Sequence, residues 1–174
     1  ASARAGNVIG GGAWAEDRLI PDMVRALTTG ESVLIRSPDA IRPWQHVLEP
    51  LSGYLILAER LCEEGAGFAE GWNLGPEDSD VWPVRKIADQ MVALWGGGAV
   101  WRLDGEHYPH EATYLKLDCS KAHARLGWRP RWRLERALEA TVRWYRTFYA
   151  GEDVRAMAFA QIAHYVTVKS DASA

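Results

Sequence analysis

The string Arg4-Ala5-Gly6-Asn7-Val8-Ile9-Gly10-Gly11-Gly12 constrains this chain more than any other. An apolar strand ends there in an Asn and three consecutive glycines. A turn without Cβ atoms lets backbone N–H groups crowd around an anion. Further on, Ala40-Ile41-Arg42-Pro43-Trp44-Gln45-His46-Val47 sets an Arg beside a Trp just ahead of an expected helix. The planar fork of Arg binds two phosphate oxygens at once. Each string reads as half of a diphosphate clamp. Each also has a plainer reading: an ordinary turn for the glycines, a surface stacking pair for Arg42 and Trp44.

Around these strings, strands and helices alternate, which makes the class α/β. Residues 2–9, 33–36 and 71–75 read as strands, as do 100–103 and 113–117, which flank a polar loop at 104–111. Leu19, Ile20, Met23, Val24 and Leu27 recur at helical spacing, with Pro21 tolerable in a first turn and Gly30 at the stop. Further helices are expected over 46–63, 83–95, 119–126, 134–149 and 151–166. Residues 1–168 form one region, and 169–174 read as a flexible tail. The chain opens in the body of a strand, without a start signal, so it reads as a piece whose upstream half lies elsewhere.

Composition narrows the function classes. With 48% apolar and 25% charged residues the chain reads as globular. A net charge of −3 argues against a nucleic-acid partner. No apolar run approaches the length of a membrane span. Sixteen Arg against four Lys suits recognition of multi-oxygen anions, and coding bias explains it equally well. Cys62 and Cys119 stand apart with no CxxC spacing, as in reduced cytoplasmic proteins.

The succession Asn7…Gly10-Gly11-Gly12, Asp17-Arg18-Leu19-Ile20-Pro21-Asp22, Ile41-Arg42-Pro43-Trp44, Trp72-Asn73-Leu74-Gly75, Leu117–Ala122 and Leu126–Pro130 resembles the C-terminal half of extended short-chain dehydrogenases/reductases that act on nucleotide sugars. Within that family, residues 40–52, 71–76 and 110–120 are most similar to the CDP-glucose 4,6-dehydratase branch; epimerases and reductases share the scaffold, and a truncated non-catalytic binding module is the reading from another class. The resemblance implies the last strands of an NAD(P)-binding Rossmann sheet with a small α/β substrate-binding domain. It implies a CDP-glucose or related nucleotide-sugar ligand, and a homo-oligomer when intact. It also implies NAD, bound mainly by an N-terminal Rossmann half that this chain lacks and that is thereby a partner. In the family the cofactor takes a hydride from the sugar, water leaves, and the hydride returns at the neighbouring carbon. The family's glycine-rich dinucleotide loop and catalytic Tyr-x-x-x-Lys pair are not expected here. Tyr108 is followed four places on by Ala112, and Tyr114 by Asp118.

Residue by residue, the resemblance implies a substrate site without catalytic, cofactor-binding or metal-binding members. Asn7 matches the family Asn that donates to a substrate phosphate. Leu19, Ile20 and Pro21 match the segment packed on the nucleotide, with Arg18 at its edge. Ile35 and Arg36 match a short strand along the base, and Arg42 is the strongest diphosphate ligand. Asn73 reads as a ligand contact or a strand-end cap. His110 and Glu111 lie in a loop that closes over the nucleotide. Relatives read Gly-Gly-Gly-Asp-Trp, whereas Ala13 precedes Trp14 here, so an acceptor is lost.

Other chemistry in the sequence is weaker. His107, His110 and Glu111 hint at a metal, but His at i and i+3 in a Pro-containing loop is poor zinc geometry. Ser120 with Lys121, or Cys119 with a His, could be drawn as nucleophile and base. Asp118–Lys121 reads better as a strand end and helix cap.

Overall fold

The computed structural model describes residues 1–105 and 113–168. Its six short strands pair as three parallel couples. Strand β1 (Ser2–Ala5) pairs with β5 (Gly71–Leu74), β2 (Asn7–Ile9) with β4 (Trp44–His46), and β3 (Val33–Ile35) with β6 (Trp101–Leu103). Five α-helices cover them: α1 (Leu19–Thr29), α2 (Leu48–Glu64), α3 (Val84–Trp95), α4 (Leu134–Tyr149) and α5 (Val154–Thr167). The alternating α/β order expected from the sequence is present.

Three local expectations need correcting. Residues 2–9 are two strands, not one. A Cβ on Gly6 would stand 2.2 Å from the Pro43 carbonyl oxygen. At that close crossing the chain leaves β5 and takes up β4, with Asn7 N–H donating to Pro43 C=O at 2.8 Å. Secondly, Trp44–His46 are a strand and not the lead-in to a helix. All three residues are buried, so the strand lacks the alternation that announces one. Thirdly, residues 113–117 form no strand. Only Tyr114 bridges to Ile41, and the exposed Tyr114 and Leu115 give the segment no buried face.

The helices follow their periodicity. Ile20, Met23, Val24 and Leu27 turn α1 inward, and Gly30, left-handed at φ 74°, ends it. Val84, Ile87, Ala88 and Met91 of α3 meet Leu134, Leu138, Val142 and Tyr145 of α4 in the larger core. A second core packs Leu57 of α2 with Trp72, Leu74, Leu126 and Trp128 beside the β1–β5 couple. A third is small: Trp132, Ala140 and Tyr165. Helix α4 has no cap of its own; buried Asp80, from a short 3₁₀ turn at Asp78–Asp80, accepts from Leu134 N–H instead. Asp153 caps α5 by accepting from Arg155 and Ala156 N–H, both at 2.9 Å.

The glycine turn is held from behind. Trp144 lies on Gly11, where an added Cβ would stand 2.0 Å from its indole, and Val47 covers Gly10. Trp14 packs on Trp144, Tyr145, Phe148 and Tyr149, while Tyr145 O–H donates to Ala13 C=O. Gly11→Ala is therefore expected to cost about 1–3 kcal/mol of unfolding free energy, the usual range for overpacking. Gly67→Ala, which meets nothing within 4 Å, is expected to cost nothing. Urea denaturation of the two variants compares them, and equal stabilities would contradict this role for Gly11.

Candidate functional site

Where the chain switches partner at Gly6, a cleft opens between β2, the start of α1, the end of β3 and Arg42. Its volume is about 280 Å³, and Asn7, Arg18, Leu19, Ile35, Arg36 and Arg42 all line it. An adjoining cavity of about 380 Å³ runs along residues 6–10 and adds Ile20 and Pro21. The two share Asn7, Arg18, Leu19 and Trp44 as a common wall. Residues drawn together on sequence grounds thus meet on one connected surface.

The cleft's chemistry suits an anion. Its lining carries three guanidinium groups, Arg18, Arg36 and Arg42, against the two carboxylates of Asp17 and Asp22. Asp22 pairs with Arg25, and Asp17 Oδ1 accepts from Arg36 at 2.9 Å. Arg42 is half-buried and donates to Ile41 C=O at 2.9 Å. Arg18 precedes the first turn of α1, whose end bears no side-chain cap and so presents backbone N–H groups and the positive end of the helix dipole. Trp44 is buried, and its indole N–H has no partner among the described residues.

The structure separates other candidates from this cleft. Asn73 lines neither cavity; its amide donates to Asp118 C=O at 3.0 Å and fixes the chain beyond β5. His107, His110 and Glu111 lie outside the described residues. Asp118 caps the turn that follows it, accepting from Ser120 N–H at 2.9 Å, while Lys121 is paired with Glu70. Burial pushes the Cys119 thiol up to about 11, the wrong direction for a nucleophile. Among the described residues no group of three His, Cys, Asp or Glu is placed to hold a metal, and no helix is long and apolar enough to cross a membrane.

The chain does contain one Tyr-x-x-x-Lys string that the sequence reading passes over, Tyr165-Val166-Thr167-Val168-Lys169. Tyr165 is 4% exposed, and its hydroxyl contacts Glu49 Oε2 at 2.8 Å and Ser52 Oγ at 3.0 Å. Burial, with the Glu49 charge beside it, drives its acidity away from the range of a working acid or base. Lys169 lies outside the described residues. The string is structural in its Tyr.

Sequence reasoning also missed the buried polar knot behind the cleft. Glu49, fully buried on α2, accepts from Trp132 N–H at 2.8 Å, Arg131 N–H at 2.9 Å and Tyr165 O–H. Burial raises its pKa against the opposing pull of these donors. His46, 2% exposed, lies against Trp132 with its ring centroid 4.9 Å away and accepts from Leu48 N–H. The stretch from Arg125 to Arg136 borders this knot: Trp128 and Trp132 are buried, Arg125, Arg129 and Arg133 are exposed, and half-buried Arg131 donates to the Tyr165 and Val166 carbonyls at 3.2 Å.

Burial, and after it the charge of Arg136, lowers the His46 pKa from 6.5 to about 4. The unfolded chain therefore takes up this proton first as the pH falls. Stability is full above about 6.5 and declines towards pH 4, by at most about 3 kcal/mol. Glu49, raised by burial, acts oppositely, since its folded form is the better proton acceptor. The urea midpoint is expected to fall between pH 6.5 and 4, and His46→Gln to flatten that slope. An unchanged slope in the variant would contradict the assignment.

No protein-family profile matches the chain. It is 57% identical over 167 residues to CDP-glucose 4,6-dehydratase of Salmonella typhimurium, covering 96% of this chain and 46% of that enzyme. It is 28% identical over 143 residues to dTDP-glucose 4,6-dehydratase of Haemophilus influenzae, covering 74% and 40%. Among solved structures it resembles UDP-glucuronic acid 4-epimerase from Bacillus cereus in complex with UDP-glucuronic acid and NAD, with TM-score 0.72, 18% identity, and coverage of 84% of this chain and 45% of that one. It also resembles dTDP-glucose 4,6-dehydratase from Bacillus anthracis in complex with NAD, with TM-score 0.65, 19% identity, and coverage of 83% and 44%. The chain spans about half the length, or less, of the curated relatives it matches. Over nearly its whole length, then, the chain is a homologue of part of the CDP-glucose 4,6-dehydratase of Salmonella typhimurium, and it shares its fold with the nucleotide-sugar epimerase and dehydratase structures.

Proposed function

We propose that this chain is the nucleotide-sugar-binding C-terminal part of a CDP-glucose 4,6-dehydratase, which converts CDP-glucose to CDP-4-keto-6-deoxyglucose and water. What carries the reading is the meeting of Asn7, Arg18 and Arg42 on one cleft, in a chain 57% identical to that enzyme. In this reading Arg42 and Asn7 hold the diphosphate, with Arg18 at its edge. Leu19, Ile20 and Pro21 support the nucleotide, Ile35 and Arg36 border the base, and the loop bearing His110 and Glu111 covers it. NAD, which supplies the hydride acceptor when bound, is held mainly by the other half of the enzyme, as are the catalytic acid and base. The residues of this chain bind the substrate and fix its orientation. In this reading the intact enzyme is a homo-oligomer, and a cytoplasmic setting suits two cysteines that are both unpaired.

A charge-assisted contact is worth about 1.5–3 kcal/mol, so Arg42→Ala should weaken CDP-glucose binding roughly tenfold to a hundredfold. Arg60→Ala, on the exposed face of α2 in pairs with Glu63 and Glu64, should leave it unchanged. Titration calorimetry that gave both variants the same affinity would remove Arg42 from the site.

The 174-residue chain by itself should convert no CDP-glucose when NAD is added. Its one Tyr–Lys string has a buried Tyr held by Glu49 and Ser52. Appearance of the 4-keto sugar with the purified chain would refute the division of labour between the halves.

A further inference from the structure

Helix α5 is apolar on all sides, yet Tyr165 is the one residue along it that is buried. Its inward face is fixed by contacts: Gln161 Nε2 donates to Ala140 C=O at 2.8 Å, and the Tyr165 hydroxyl meets Glu49 and Ser52. On the other side Ala156, Phe159, Ala160, Ile162, Ala163 and Val166 are all exposed, Phe159 at 58% and Val166 at 62%. At about 100° per residue, Ala156, Phe159, Ala163 and Val166 fall on one stripe that points away from Gln161 and Tyr165. A helix apolar all round belongs in an interior, and an exposed apolar stripe marks a contact surface.

The stripe has the spacing of a helix–helix seam, with Ala156 and Ala163 one heptad apart and Phe159 and Val166 one heptad apart between and beyond them. Small and large side chains alternate along it. When a second copy of the helix runs antiparallel, related by a two-fold axis at the level of Gln161, Phe159 comes opposite Ala163 and Val166 opposite Ala156. Every layer then sets a bulky side chain against an alanine, and the symmetry makes each pairing twice. A parallel copy would instead set Phe159 on Phe159 and alanine on alanine. Charge agrees with the antiparallel register. Arg155, whose guanidinium lies 5.5 Å from the Phe159 ring, comes opposite Thr167, so no like charges meet. One Arg on the stripe's border is also too little basic charge for a helix that lies on an anionic membrane.

We propose that two copies of this chain associate through α5, packed antiparallel about a two-fold axis at Gln161. On α2, Leu51 precedes Ser52 and Leu55 follows it by one turn, and both are exposed. Because Tyr165 contacts Ser52 at 3.0 Å, these leucines widen the apolar surface at the carboxyl end of α5. The 14 residues of α5 make a strip about 21 Å long and about 10 Å wide, small for a specific interface, so the dimer is reversible and forms in the micromolar range. The proposal adds a contact face to the homo-oligomer proposed above. Its test involves no nucleotide, so its failure leaves the binding reading untouched.

Sedimentation equilibrium of the 174-residue chain provides the test, with circular dichroism to confirm that each variant keeps its helices. The wild type should pass from monomer to dimer between about 1 and 100 μM. Phe159→Asp, at an exposed position, should weaken association by about tenfold or more, because it sets a charge in the seam. Phe159→Ala should also weaken it, by leaving alanine against alanine. Adding Ala163→Phe to Phe159→Ala should restore association to within about threefold of the wild type, since the ring moves to the facing member of the same layer. A wild-type chain that stays monomeric throughout this range overturns the proposal. So does a dimer that Phe159→Asp leaves intact, which would place some other surface between the copies. A double variant that associates no more tightly than Phe159→Ala overturns the antiparallel seam and the proposal with it.

Discussion

The carboxylate of Glu49 is the contact on which the arrangement of this chain depends. It sits on α2, fully buried, and reaches three donors far from it in sequence: the N–H groups of Arg131 and Trp132 and the hydroxyl of Tyr165. Through them one side chain joins the helix that follows β4, the entry to α4 and the end of α5. A carboxylate so placed is costly in desolvation and is tolerated only because each oxygen is occupied. Removing it would leave two backbone donors unsatisfied, each costing about 1–3 kcal/mol, and the Tyr165 hydroxyl with Ser52 alone. His46, three residues earlier, presses on Trp132 from the same side. The site inherits this rigidity, because Trp44 and His46 are the two ends of β4, and Trp44 is part of the wall that the two cavities share.

The cleft is a consequence of chain crossing. Gly6 passes so close to the Pro43 carbonyl that no side chain fits, and there the polypeptide leaves one parallel couple for another. Two couples that diverge leave a gap at the divergence, and α1 and the end of β3 roof it. Asn7 and Arg42 stand on either side of the crossing, so the geometry that opens the gap also brings both side chains to its lining. The three glycines answer to a different demand. Gly11 is small because Trp144 lies against it, and Gly12 is left-handed at φ 78°.

How much of this was legible in the sequence depends on what kind of signal each part emits. Helices α1, α3 and α4 were readable because each buries a stripe at helical spacing. Strand β4 was not, because a strand buried on both faces has no alternation, and Gln45 and His46 disguise its apolar setting. The cleft residues Asn7, Arg18, Leu19, Ile35, Arg36 and Arg42 could be named from strings that resemble a family. That they share one surface is a fact of topology that no local string contains. Asn73 carried an equally good string and turned out to hold Asp118. The Glu49 knot gave no signal at all, since an acidic residue in an amphipathic helix is ordinarily solvated. Its meaning lies in donors more than eighty positions away.

Tyr165 shows why spacing alone does not establish chemistry. Tyr165 and Lys169 stand at the interval of the family's catalytic pair. A catalytic Tyr needs an open path to its substrate and surroundings that favour the ionised phenol. Tyr165 has neither: it is buried against Trp132, donates to a carboxylate, and faces a negative charge that opposes its ionisation. The hydroxyl instead completes the coordination of Glu49 and fastens α5 to α2. The same residue type at the same interval is a reagent in one setting and a rivet in another. What separates the two is which groups surround the oxygen, and whether solvent and substrate can reach it.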